Sequence, residues 1–158
     1  MSVTASQTRT IAQSPSTPRS LRFLDTRPVW LVGVLATLAG AVVTEVFALV
    51  FRAAGVPMAA ASPGAKEAAE IPVGGFAGGV IFWSIAGVVL AVALARWAKR
   101  PARTFTAITV ALTALSLAGP AVAPHTATST QIVLAVSHVV AAAVIIPLIA
   151  RRLGHRSR

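Results

Sequence analysis

Arg96-Trp97-Ala98-Lys99-Arg100-Pro101-Ala102-Arg103 places four basic side chains within eight residues, between two long apolar runs. A connection so short joins its neighbours only as an antiparallel hairpin. The run before it covers about residues 72–97 and the run after it about 104–123. Further out, 29–51 and 130–150 are also continuously apolar. The remaining charge follows the same plan. Arg9, Arg19, Arg22 and Arg27 precede the first run, and Arg151, Arg152, Arg156 and Arg158 follow the fourth. Only Arg52 and Lys66 lie in the other two connections. Cytoplasmic loops of membrane proteins retain Lys and Arg. The alternation therefore predicts an all-α polytopic membrane protein, an antiparallel four-helix transmembrane bundle. It also predicts a plasma-membrane location with both termini cytoplasmic.

Composition supports this class. The 158 residues are 56% hydrophobic and 11% charged, with a formal net charge of +10. Soluble domains carry roughly 25% charged residues. A charge of this size on a soluble face would suggest nucleic acid, but no recognition motif accompanies it. Because the charges flank apolar runs, the expected partners are membrane lipids. Anionic headgroups at the cytoplasmic face attract each basic residue by about 1 kcal/mol. The chain has no cysteine, which removes disulfides, thiol catalysis and cysteine metal sites together.

Residues 1–27 are rich in Ser, Thr, Gln and Arg without apolar period and are expected to be a disordered basic tail. A signal peptide is the competing reading, but 29–51 is 23 residues long. An h-region has about 7–15, whereas 23 helical residues span about 35 Å and cross a bilayer. The membrane domain is then 28–153, and 154–158 is a short basic tail. In the external connection 52–71, Pro63-Gly64 signals a turn. A short hairpin over the helix ends competes there with a helical turn in the Ala/Glu/Lys stretch that follows. The second external loop, around Pro124, His125 and the Thr/Ser run to Thr130, offers helix N-caps. Gly74, Gly75, Gly78 and Gly79 form two small-xxx-small pairs at the start of the second span. They are candidate helix-packing glycines, for contacts within the chain or between copies.

Within the spans, Glu45 is the acidic residue and His138 the histidine. Ionisable groups in hydrocarbon are costly and need a partner or a purpose. Counted along their helices, Glu45, Ser116 and His138 lie about 9, 10 and 12 Å inside the outer ends. Pro120 cannot bond the Ser116 carbonyl, which becomes free in that layer. The candidate intramembrane cluster is therefore Glu45, Ser116 and His138. It is either a latch fixing helix register or a proton-accepting pair facing an outer cavity. Glu45 has another possible partner in Arg52, two turns along the same face. One His and one Glu do not close a metal coordination sphere, and a bis-histidine haem lacks a second ring at that depth. No cofactor is expected. Trp83 reads as a packing residue, and Trp30 and Trp97 as interfacial anchors. No nucleophile–base pair, phosphate loop or acidic dyad is present.

The segment Leu115-Ser116-Leu117-Ala118-Gly119-Pro120, the Thr-rich loop, Ser137-His138-Val139-Val140 and Ile145-Ile146-Pro147 carry a resemblance. So does Thr44-Glu45-Val46 in the first span. The chain resembles an uncharacterised family of small four-span membrane proteins (domain of unknown function, DUF 6069), found mainly in actinobacteria. The likeness covers about 29–153. Its Gly-Pro and His–Pro signatures fall on Gly119, Pro120, His138 and Pro147. The resemblance implies the fold and the membrane location and adds no mechanism. A membrane β-barrel is excluded because the runs are continuous rather than alternating. The expected function is a non-enzymatic accessory or structural membrane protein, as a homo-oligomer or with another membrane protein. The alternative is a small proton-linked transporter using Glu45 and His138.

Overall fold

The structure, a computed structural model, describes residues 26–61 and 64–155. The expected tail up to residue 25 and the last three residues lie outside this range.

Four helical spans are long and apolar enough to cross a membrane. The first is α1 (Val29–Ala53), followed by a hairpin of β1 (Ala59–Ala60) and β2 (Ala69–Glu70). The second is α2 (Gly75–Trp97). The third consists of α3 (Pro101–Ser116) and the short α4 (Ala118–Ala121). The fourth is α5 (Thr128–His155). At 1.5 Å per residue, the 25 residues of α1 reach about 37 Å, enough to span the hydrocarbon with some tilt. The chain is thus an all-α four-helix membrane protein.

Several boundaries differ from the sequence reading. The second helix begins at Gly75, because Gly74 takes a left-handed φ of 88° and makes the turn into it. Glycine adopts that conformation without a Cβ penalty. The third begins at Pro101, where a ring lacking N–H costs nothing in the first turn. It breaks at Leu117 because Pro120 denies the Ser116 carbonyl its helical donor and the ring crowds it. The fourth continues unbroken through Pro147 to His155, past the expected end near 150.

The connection between α1 and α2 is a hairpin, one of the two forms the sequence left open. Ala59 pairs with Glu70 and Ala60 with Ala69, and the Ile71 amide donates to the Met58 carbonyl at 2.7 Å. Its strands are tied down at both sides. Arg52 at the end of α1 donates to Glu70 Oε1 at 3.1 Å and to the Ile71 carbonyl. The Ala61 amide donates to Thr126 Oγ1 at 3.1 Å, and the Thr130 hydroxyl to the Pro57 carbonyl. Arg52 therefore answers Glu70 rather than Glu45. Thr126 and Thr130 stitch the α1–α2 and α4–α5 connections together.

α1 is the hub, packed against both α2 and α5, while α3 packs mainly on α5. Its buried face consists of Val29, Val32, Gly33, Ala36, Thr37, Gly40, Ala41, Thr44 and Ala48. Gly33, Thr37, Gly40 and Thr44 recur at spacings of four, three and four, which keeps them on one face of α1. Two apolar clusters close the ends of the bundle. Val29, Ala36, Ala91, Phe105, Ile149 and Leu153 form one at the basic end. Ala48, Met58, Phe76 and Val133 form the other, under the hairpin. Large apolar side chains cover the outside, including Trp83, which is 75% exposed and meets Phe82 edge-on at 5.4 Å. Trp83 faces outward and is not an internal packing residue. In water such a surface would aggregate; in a bilayer it meets acyl chains.

Candidate functional site

Glu45 faces the beginning of α2. Its Oε1 accepts the Gly74 amide at 2.7 Å and its Oε2 accepts the Ala77 amide at 2.9 Å. The first four N–H groups of a helix lack intrahelical partners, and the N-terminus carries about half a positive charge. No side chain at the N-cap of α2 makes that bond, since the position is Gly74. A carboxylate from the neighbouring helix does so instead. Counting residues places Glu45 in a shared layer only where the helices end at one level, and they do not. In fact α1 runs two turns past the start of α2, so Glu45 lies opposite a helix terminus rather than deep beside a continuous helix.

The other members of the expected cluster bond within their own helices. His138 Nδ1 lies 2.7 Å from the Leu134 carbonyl, which fixes Nδ1 as the donor of the ring. Ser116 Oγ donates to the Thr113 carbonyl at 2.7 Å, and Ser137 Oγ to Leu134 at 2.6 Å. Among the described residues no hydrogen bond joins Glu45, Ser116 and His138. The freed Ser116 carbonyl does not receive His138, because back-bonding to the carbonyl one turn earlier is available without moving a second helix. Thr109 and Thr113 make the same kind of bond.

The structure also redistributes the packing glycines. A Cβ on Gly78 or Gly79 would meet nothing within 4 Å. Gly74 serves the turn, and a Cβ on Gly75 would strike Ile71, its local neighbour, at 2.8 Å. The close approaches are on α1. A Cβ on Gly33 would lie 2.8 Å from Val88, and one on Gly40 would lie 2.7 Å from Ile145. Four residues beyond each of these glycines stands a buried threonine, Thr37 and Thr44, whose hydroxyl has no partner among the described residues. Thr44 is 1% exposed. Sequence reading passes over Gly33, Thr37 and Gly40 and takes Thr44 only as part of a family resemblance, although the repeat Gly-x3-Thr-x2-Gly-x3-Thr is visible.

At the basic end, the start of α1 and the ends of α2 and α5 frame a cleft of about 450 Å³ that includes Arg96 and Arg152. No group of three or more potential metal ligands occurs among the described residues.

This arrangement defines a polytopic membrane protein whose interior polar groups attach mainly to backbone. The chain belongs to the family of unknown function DUF6069, whose model matches residues 24–155. Neither a curated protein nor a solved structure matches it.

Proposed function

We propose that the protein is a non-enzymatic accessory or structural element of the plasma membrane, with both termini cytoplasmic. The observation supporting this reading most directly is the double hydrogen bond from Glu45 to the start of α2. The acidic group that a proton relay would require is committed to holding two helices together. His138 is likewise bonded to Leu134, and the outer end is packed with Met58 and Phe76 beneath the stitched hairpin. A structural element needs this economy of reactive groups; a transporter needs a carboxylate that exchanges partners.

The test is proton flux in proteoliposomes with an entrapped pH dye. The wild type is expected to show no flux above protein-free vesicles. A wild-type flux that Glu45→Gln abolishes would establish the proton-transport alternative. Orientation is tested separately and cleanly because the chain contains no cysteine. Lys66→Cys is expected to react with an impermeant maleimide on intact cells, and Lys99→Cys only after lysis. The reverse pattern would invert the topology. The argument for it is the charge bias: Arg27, Arg96, Lys99, Arg100, Arg103, Arg151 and Arg152 flank one end of the bundle.

A further inference from the structure

The cleft at the basic end is built by three separate elements. Val29 and Trp30 come from the start of α1 and Thr26 from the chain just before it, Arg96 from the last turn of α2 and Arg152 from the last turn of α5. Its volume, about 450 Å³, lies within the roughly 300–1,000 Å³ of small-molecule sites. Arg152 is already oriented, its Nε donating to the Arg27 carbonyl at 2.5 Å. Arg96 makes no hydrogen bond or ion pair among the described residues. Of the chain's four acidic side chains, Glu45, Glu67 and Glu70 belong to the opposite end of the bundle, and Asp25 lies outside the described residues. The start of α1 adds to the positive field, since its N-cap is Pro28, without a side-chain hydrogen bond, and its first turn has no acidic residue. Trp30, 56% exposed, offers an indole beside the cationic groups, as interfacial tryptophans do at headgroup level.

We propose that this cleft binds one anionic phosphate group, held by Arg96 and Arg152 and flanked by Trp30. Guanidinium groups match phosphate in geometry and charge, and basic pockets between spans at a membrane face hold anionic headgroups. The phosphate is carried by an anionic lipid or is free in solution. The proposal is independent of whether the protein conducts protons.

The experiment is native mass spectrometry of the full chain in a neutral detergent, which removes the diffuse field of an anionic bilayer. The probe is phosphatidylglycerol, with phosphatidylcholine as the zwitterionic comparison and inorganic phosphate as competitor. Phosphatidylglycerol is expected to bind about tenfold more tightly than phosphatidylcholine, and Arg96→Gln and Arg152→Gln each to weaken it about tenfold, the loss of one charge-assisted contact. Arg103→Gln removes an equal charge from the same end, outside the cleft, and is expected to change binding less than about twofold. Displacement by millimolar inorganic phosphate would assign the site to the free anion, and resistance to it would assign the site to the lipid; both uphold the phosphate clamp. Equal losses at Arg96, Arg152 and Arg103 would overturn it, as would binding that does not discriminate between the two lipids. Arg96 has no structural bond to lose, so its result stands even if Arg152→Gln loosens the Arg27 contact.

Discussion

Glu45→Ala is expected to destabilise the folded protein by about 2 kcal/mol, because two amide donors at the start of α2 lose their acceptor together. Hydrogen bonds to charged groups contribute about 1.5–3 kcal/mol each. The site is only half-buried and water will satisfy part of what is lost, so the sum is well below two full bonds. Glu45→Gln keeps one oxygen but presents an NH₂ group to the other amide, and is expected to cost about half as much. The readout is thermal unfolding in nanodiscs together with hydrogen exchange at Gly74 and Ala77, which should accelerate in both variants. A double-mutant cycle with His138→Ala separates this reading from a carboxylate–histidine pair. Since Glu45 bonds α2 and His138 bonds Leu134, the two substitutions should add to within about 0.5 kcal/mol. Strong coupling, with amide exchange at Gly74 and Ala77 unchanged, would mean that the pair is real and the cap is not.

The reach of sequence reading here has a physical boundary. The four spans and their order were legible because they depend on length and apolarity, which are local properties. The connection between the first two is left open by the sequence between a hairpin and a helical turn. Pro120 marks the Ser116 carbonyl as freed, but the third span reads as continuous in sequence, and the break between α3 and α4 is not expected from it. Partner choice was not local. Glu45 was marked as a costly group needing a partner or a purpose, and its partner is the backbone around Gly74, which no side-chain inventory includes. His138, Ser116 and Ser137 lie in helices whose own carbonyls were the nearest acceptors, so shared depth did not bring them together. Arg52 found Glu70 because the hairpin folds back over the end of α1. Whether a pair of membrane helices meets at a given glycine depends on which faces oppose one another. Four glycines clustered at the head of α2 gave a louder signal than two spaced along α1, but α2 turns Gly78 and Gly79 away from its neighbours.

That contrast yields opposite signs for one and the same substitution. Gly33→Ala is expected to cost about 1–3 kcal/mol, the range for overpacking a tight contact. Its new methyl would sit 2.8 Å from Val88 Cγ2 and 3.1 Å from Cγ1. Valine in a helix has one strongly preferred rotamer, so Val88 cannot turn aside and α1 and α2 must separate. Gly40→Ala meets Ile145 through Cδ1 and Cγ1 at 2.7 Å. A change of χ2 withdraws Cδ1 but not Cγ1, and isoleucine is as stiff at χ1 as valine, so a cost in the same range is expected. Gly79→Ala and Gly87→Ala add a methyl into open space; they should be neutral or stabilising by up to about 1 kcal/mol through helix propensity alone. Thermal unfolding of the four variants in one nanodisc composition measures the difference. Val88→Ala combined with Gly33→Ala should recover much of the loss, because it removes both γ-methyls that obstruct the new side chain. If Gly79→Ala instead lowers stability while Gly33→Ala does not, the seam of α1 is not the packing hub. Weaker self-association of Gly79→Ala, with unchanged monomer unfolding, would place the α2 glycines between copies of the chain, where small residues let helix backbones approach.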